Sequence, residues 1–242
     1  MFDSISTAFK KAKNERRPAL LTYTVAGDSS KKQSLEILKS ISNYADILEV
    51  GVPHNTPVAD GSQIQTSAYR AIKNGIKIKN IFEIVNNFKK NKNPKPIILM
   101  GYYNMIYQYG ENKFFAKKCK KKSICFIQLI SPTTSNKRLK NIIRDSHSML
   151  YYISMLSTTG GKLKVSPKTI LLKYNKIKKI NPKKHIVIGF GITEKSIKNL
   201  NKADGLVVGS AICKEITRSL NSRQNPVTNI VRLVRKLKNI NL

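Results

Sequence analysis

The sequence predicts an α/β fold, a (β/α)8-type (TIM) barrel reduced to seven βα units, in one domain spanning residues 1–242. Three observations predict it. Seven short apolar runs alternate with helix-period segments almost from end to end of the chain, and strand–helix–strand units at this spacing pair in parallel through right-handed crossovers. The runs are rich in Ile, Leu and Val at successive positions, as strands covered on both faces must be. The residues with chemical or conformational character, Glu49, Tyr102, Asn104, Gly160, Gly189, Gly191, Gly209 and Ser210, fall at or just after the C-terminal ends of different runs. An open doubly wound sheet gathers such residues at one switch point, whereas a barrel spreads them around its catalytic rim.

In order along the chain, MFDSISTAFKKAKNERRPALL (1–21) reads as a short amphipathic helix leading into the first strand, without the apolar core of a signal peptide. ALLTYTV (19–25) is the first strand, SLEILKSISNY (34–44) a helix and ADILEV (45–50) the second strand. KNIFEIVNNFKK (79–90) and PIILM (96–100) form the next helix–strand pair. NKFFAKKCKKK (112–122) reads as a helix and ICFIQLI (124–130) as a strand. SNKRLKNIIRD (135–145) precedes MLYYIS (149–154), and SPKTILLKYNKIKKI (166–180) precedes HIVIGF (185–190). TEKSIKNL (193–200), GLVVG (205–209), AICKEITRSL (211–220) and NIVRLVRKLKNI (229–240) complete the alternation. A closed barrel of eight units takes about 250 residues, so 242 residues permit one while the strand count falls one short. No Pro/Gly/Ser-rich linker divides the chain.

Composition excludes several functions. The formal charge is +32, from 45 Lys and Arg against 13 Asp and Glu. Such charge invites a nucleic-acid reading, but the lysines are scattered with Asn and Ile over the whole chain, with no zinc-finger, RNP-like or helix-turn-helix pattern among them. Biased residue usage accounts for them, and no nucleic-acid partner is expected. Cys119, Cys125 and Cys213 form no CxxC pair, and neither they nor His54, His147 and His185 stand at metal-ligand spacing. No metal is expected. No run approaches the ~20 apolar residues of a membrane helix, so a cytoplasmic protein is expected.

Two carboxylates stand out in EVGVPHNTPVADG (49–61). Glu49 ends an apolar strand, where a charge costs stability unless it has a partner or a task. Asp60 lies in a loop fixed by Pro53, Pro57 and Gly61, where a turn or cap role is the alternative. Two acids beside one apolar pocket serve as acid and base when their surroundings separate their pKa values. GFG (189–191) and GSAI (209–212) each follow a strand and open a helix, a geometry that cradles phosphate on bare N–H groups, although glycines also serve tight packing alone. No Lys lies in an apolar strand core, which disfavours a Schiff-base aldolase. His54 reads as a surface residue, and His147 and His185 as structural residues at the opposite face.

EVGVPHNTPVADGSQIQ (49–65) resembles the signature of the tryptophan synthase alpha chain family, roughly E-[LI]-G-x-P-[FY]-S-D-P-x-A-D-G-P-x-I-Q. Matches in the same order continue through TYTVAGD (22–28), LMGYYNMIYQYG (99–110), LISPTTSNKRLKNI (129–142), YYISMLSTTGG (151–161), GFGI (189–192) and GSAI. The resemblance implies a (β/α)8 barrel that cleaves indole-3-glycerol phosphate to indole and glyceraldehyde 3-phosphate with no cofactor of its own. It implies Glu49 as the acid/base between indole C3 and the glycerol hydroxyl, and Asp60 as the acid that holds the indole N–H. Tyr23, Met100, Tyr102, Tyr151 and Phe190 would line the indole pocket. Gly160, Gly189, Gly191, Gly209 and Ser210 would hold the phosphate, and Thr159 would sit in the closing loop. The implied partner is the beta chain, which carries pyridoxal phosphate, in an α2β2 assembly. Pro53, Pro57 and Asn104 would face it.

The chain departs from that pattern at Thr56, where the family has Asp, and at Met155 and Ser157, where it has Arg and Gly. Between Lys122 and Ser123 it lacks about one βα unit, the family's fourth. The third and fifth family strands are therefore expected to become neighbours and to close, or nearly close, a seven-stranded ring bridged by the helix 112–122. A degraded subunit serving mainly as a structural or allosteric partner of the beta chain is the alternative to a full lyase.

Overall fold

The computed structural model describes residues 4–110, 127–147, 149–154, 165–189 and 191–240. In chain order the elements are α1 (Ser4–Asn14), β1 (Ala19–Val25), α2 (Lys31–Ile41), β2 (Ile47–Gly51), α3 (Ser62–Lys73), α4 (Ile78–Lys89), β3 (Ile97–Met100) and α5 (Tyr103–Tyr109). There follow β4 (Gln128–Ile130), α6 (Asn136–Asp145), β5 (Met149–Ile153), α7 (Pro167–Ile180), β6 (His185–Gly189), α8 (Glu194–Ile197) with the 3-10 turn Lys198–Leu200, β7 (Gly205–Val208), α9 (Ser210–Asn221) and α10 (Pro226–Ile240). Two of these helices carry no clear sequence signal. In α3 the buried positions are Ile64, Ser67, Ala68 and Ala71, a stripe with one large apolar residue and three small ones. The seven residues of α5 bury no side chain fully.

The seven strands form one sheet in the order β3-β2-β1-β7-β6-β5-β4, and every pairing is parallel. Glu49 of β2 and Tyr151 of β5 are four strand spacings apart in that order, about 19 Å if the sheet were flat. They lie close enough for the Glu49 charge to act on the Tyr151 phenol, so the sheet curls. Side chains alternate between the two sides of the curl. Leu21, Ile47, Ile98, Met149, Tyr151, Val187 and Val207 point inward and share one cluster, with Tyr23 and Met100 packed against it. Leu20, Leu48, Val50, Leu150, Tyr152, Ile186, Ile188, Leu206 and Val208 point outward, into a second cluster with the apolar faces of α2, α4, α9 and α10. At about 25 cal/mol per Å2 of apolar surface removed from water, this two-sided burial is the main favourable contribution to folding.

The base of the curl is stoppered by α1. Its buried residues are Ile5, Phe9 and Ala12, and the Phe9 ring stacks on His185 at 4.5 Å. At the same end the buried Asp46 accepts hydrogen bonds from Arg17 at 2.5 and 2.9 Å and from the Leu20 N–H at 2.8 Å. Lys238 of α10 reaches the same carboxylate at 3.3 Å, which ties both ends of the chain to the start of β2. These partners hold the Asp46 carboxyl below the usual range despite its burial.

The expected pairing of the strand 96–100 with the strand of 124–130 does not occur. Among the described residues, β3 and β4 occupy the two edges of the sheet and are not hydrogen-bonded to each other. The lumen explains why. A ring's diameter grows with strand number, so closing seven strands would narrow a lumen already occupied by Tyr23, Tyr151, Met100, Met149 and Phe9, and β3 and β4 are only four and three residues long. The predicted bridging helix 112–122 and the junction at Lys122 lie outside the described residues.

Candidate active site

β1 and β2 pair with Tyr23 opposite Glu49 and Val25 opposite Gly51, and β2 pairs with β3 so that Gly51 lies opposite Met100. That register brings Tyr23, Glu49 and Met100 to the inner wall near the C-terminal ends of their strands. Glu49 is fully buried, and neither carboxyl oxygen has a hydrogen-bond partner among the described residues. Burial pushes its carboxyl up to about 8, with the nearby Asp60 charge adding to the effect. A buried acid merely satisfied by a lysine or hydroxyl would instead show a partner and an ordinary pKa. The tyrosines beside it are held protonated, since burial raises both the Tyr23 and the Tyr151 phenol well above normal.

Asp60 is half-buried in the loop between β2 and α3. Its carboxylate accepts a hydrogen bond from the Tyr102 hydroxyl at 3.2 Å, and that hydroxyl accepts the Ala59 N–H at 3.0 Å. Burial raises the Asp60 carboxyl, while the Tyr102 hydrogen bond and the neighbouring His54 oppose the rise. The two acids therefore sit in different surroundings: Glu49 is fully buried with no hydrogen-bond partner among the described residues, and Asp60 is hydrogen-bonded at the rim.

His54 stands near the surface, as expected, but has partners the sequence did not announce. It is half-buried, its ring lies 4.7 Å from that of Tyr102, and its two nitrogens meet the Thr56 N–H at 3.0 Å and the Asn104 amide at 2.9 Å. The surface reading of PHNTP rested on the polarity of the turn, and it missed a contact to a residue 48 positions further along. The only sequence signal was an imidazole flanked by two prolines. The other two histidines are placed as expected, away from the acids. His185 begins β6 against Phe9, and the His147 carbonyl accepts from Lys184.

The glycines combine packing with access. A Cβ on Gly51 would lie 2.1 Å from the Tyr23 hydroxyl, and one on Gly189 would lie 2.3 Å from the Tyr151 hydroxyl. A Cβ on Gly209 would lie 3.2 Å from the Tyr23 side chain. Gly191 is exposed, with φ 74°. Of the two helices that follow these turns, α8 closes its own first turn through Thr193 and Ser196. The twelve-residue α9 starts at Ser210 behind Gly209 with no side-chain cap, so its first turn is the freer of the two for an anion. Pro53 is buried, Pro57 half-buried and Asn104 exposed on α5. Thr159, Gly160, Phe190, Met155 and Ser157 lie outside the described residues. The described residues contain no group of three or more His, Cys, Asp or Glu able to hold a metal ion, and no helix long and apolar enough to cross a membrane.

A second network, unread in the sequence, braces this rim. Asp28, buried in the turn after β1, is held bidentately by Arg70 of α3 at 2.7 and 2.9 Å, and Arg70 also reaches Thr217 of α9 at 3.0 Å.

Comparison with known proteins places the chain among relatives. The family model described as tryptophan synthase alpha chain matches residues 9–121 and 115–241. The tryptophan synthase alpha chain of Pelagibacter ubique (strain HTCC1062) is 68% identical over 258 aligned residues, with 97% of each chain covered. Among solved structures, tryptophan synthase subunit alpha from Legionella pneumophila str. Paris superposes with a TM-score of 0.84 at 26% identity, covering 99% of this chain and 98% of the other. A mutant tryptophan synthase alpha-subunit from the hyperthermophile Pyrococcus furiosus gives 0.77 at 30% identity, covering 91% and 98%. The Pelagibacter alignment is longer than the 242 residues of this chain, so that relative carries residues missing here. The family match comes in two runs that meet at residues 115–121, beside the point where the sequence drops a βα unit.

Proposed function

Because the chain belongs to the tryptophan synthase alpha chain family, and is therefore a lyase that cleaves indole-3-glycerol phosphate, we propose that Glu49 and Asp60 divide the proton chemistry of that cleavage. The observation that carries the proposal is the fully buried Glu49 carboxyl, without a hydrogen-bond partner among the described residues, its pKa pushed up to about 8. Near neutral pH it holds a proton and gives it to indole C3. The positive charge that then develops on the ring is met at the indole N–H by the Asp60 carboxylate, itself oriented by Tyr102. Glu49, now a carboxylate, takes the proton of the glycerol hydroxyl next to C3. The bond from C3 to the side chain breaks, its electron pair returns to the ring, and the former carbinol becomes the aldehyde of glyceraldehyde 3-phosphate. Indole leaves, and Glu49 is again protonated. A carboxyl of normal acidity would be a poor donor at this pH, and burial corrects that.

The indole lies between Tyr23, Met100, Tyr102 and Tyr151, with Phe190 completing the pocket. The phosphate lies at Gly189, Gly191, Gly209 and Ser210, where the uncapped first turn of α9 supports the assignment. Gly160 and Thr159 serve the same end from the neighbouring loop. The site works without a metal or organic cofactor. The partner is a pyridoxal-phosphate-bearing beta chain in an α2β2 assembly, met around Pro53, Pro57 and Asn104. Support comes from Val58, Tyr103 and Tyr107, large apolar side chains that stand 62 to 70% exposed in the same two loop–helix segments. All of residues 1–242 act as one domain, in the cytoplasm.

The test is steady-state cleavage of indole-3-glycerol phosphate by Glu49→Gln and Asp60→Asn. Glu49→Gln keeps the shape and loses the proton, so kcat should fall by at least about two orders of magnitude. Asp60→Asn should be nearly as severe. Circular dichroism should report an intact fold in both, and near-normal turnover by Glu49→Gln would sink the assignment.

A further inference from the structure

We infer that His54 is a positioning residue for the cleavage, acting through Tyr102 to fix the Asp60 carboxylate against the indole. The inference rests on the role of Asp60 proposed above. Three contacts in series carry it. The imidazole is tied at both nitrogens: Nδ1 accepts the Thr56 N–H at 3.0 Å, and Nε2 lies 2.9 Å from the Asn104 amide. With Nδ1 accepting from Thr56, Nε2 carries a ring N–H, and the Asn104 amide, whose nitrogen stands at 2.9 Å, turns its oxygen to that N–H. The ring so tied lies on the face of Tyr102, with centroids 4.7 Å apart and planes inclined by 32°, within the range of a favourable aromatic pair. Tyr102 in turn holds the Asp60 carboxylate at 3.2 Å and is anchored by the Ala59 N–H at 3.0 Å.

The arrangement locks two loops that no strand pairing fixes. Thr56, Ala59 and Asp60 belong to the segment after β2, while Tyr102 and Asn104 belong to the segment after β3. Tyr102 links them through its hydroxyl, and His54, on the first segment, adds a second link by its stack on Tyr102 and its contact with Asn104. Without it, Tyr102 and Asp60 stay joined to each other but can shift together, and Asp60 loses its fixed place relative to the barrel wall. A displacement of that kind costs turnover more than substrate affinity, because the indole charge that Asp60 offsets appears only as C3 is protonated.

The test is a double-mutant cycle in cleavage of indole-3-glycerol phosphate by the full chain, using His54→Ala, Tyr102→Phe and the pair. His54→Ala is expected to lower kcat about tenfold with KM changed less than about twofold. In the Tyr102→Phe background the same change is expected to cost less than about twofold, because the link to Asp60 is already cut. His54→Phe, which keeps a ring on Tyr102, should recover kcat to within about threefold of the parent. Should His54→Ala fail to fold by circular dichroism, His54→Gln, which removes the ring and keeps polarity, takes its place in the cycle. Equal losses in the two backgrounds, an effect confined to KM, or unchanged turnover in His54→Ala would overturn the inference. Asp60→Asn run in parallel separates the two readings: if it is active, the site assignment fails. If it is inactive and the cycle is additive, only the role of His54 fails.

Discussion

At the residue scale, Glu49 shows what a site costs. Its carboxyl ionises near pH 4.5 when unfolded and about 8 when folded, so between those values the folded chain holds a proton that the unfolded chain has lost. Stability therefore falls as pH rises from about 4.5 through 8. Glu49→Gln removes that dependence and is expected to be more stable than the parent at pH 8, by a few kcal/mol in order of magnitude. Urea midpoints at pH 5 and pH 8 check it: the parent should lose stability between them relative to the variant, and parallel behaviour would contradict a buried, elevated Glu49. Glu49 was legible in the sequence because an acid ending an apolar strand is chemically out of place. His54 was not, since its partners Tyr102 and Asn104 are distant in sequence and nothing in PHNTP announces a stack.

At the element scale, β2 is pinned at both ends. Its C-terminal end carries the site, and its N-terminal end is held by Asp46 with Arg17, Lys238 and the Leu20 N–H. Asp46→Asn leaves a buried guanidinium with weaker compensation and should cost about 3–5 kcal/mol, read as a lowered urea midpoint at pH 7. Because the Asp46 carboxyl is held below its usual range, this contribution is complete above about pH 4 and fades as the pH falls through the native value. A variant as stable as the parent would show that the other contacts suffice. The strands were readable from their apolar runs, and most helices from their 3.6-residue period. The helix α3 was not, because its buried stripe has one large apolar residue, Ile64, beside the small Ser67, Ala68 and Ala71. Smallness also made Gly51 and Gly189 ambiguous, as the glycines proved to be seats for tyrosines.

At the scale of the whole molecule, the strand count was readable but the outcome of losing a unit was not. The expected ring would have paired every strand edge, but among the described residues β3 and β4 remain edges around a lumen occupied by large side chains. With β3 and β4 at the edges, their backbone amides should exchange with deuterium faster than those of β1 and β7, which have neighbours on both sides. Hydrogen-exchange mass spectrometry on the isolated chain reads this directly, and β3 protected as strongly as β1 would show its edge to be covered. The open order has a geometric sequel. A closed barrel is quantised: its radius changes only by whole strands and whole steps of shear. An arc obeys no such arithmetic, and its curvature is a continuous variable set by whatever stands between its two ends. A methylene gained or lost in this lumen is therefore taken up as a change of bend, where a ring would have to register it as a void or a collision.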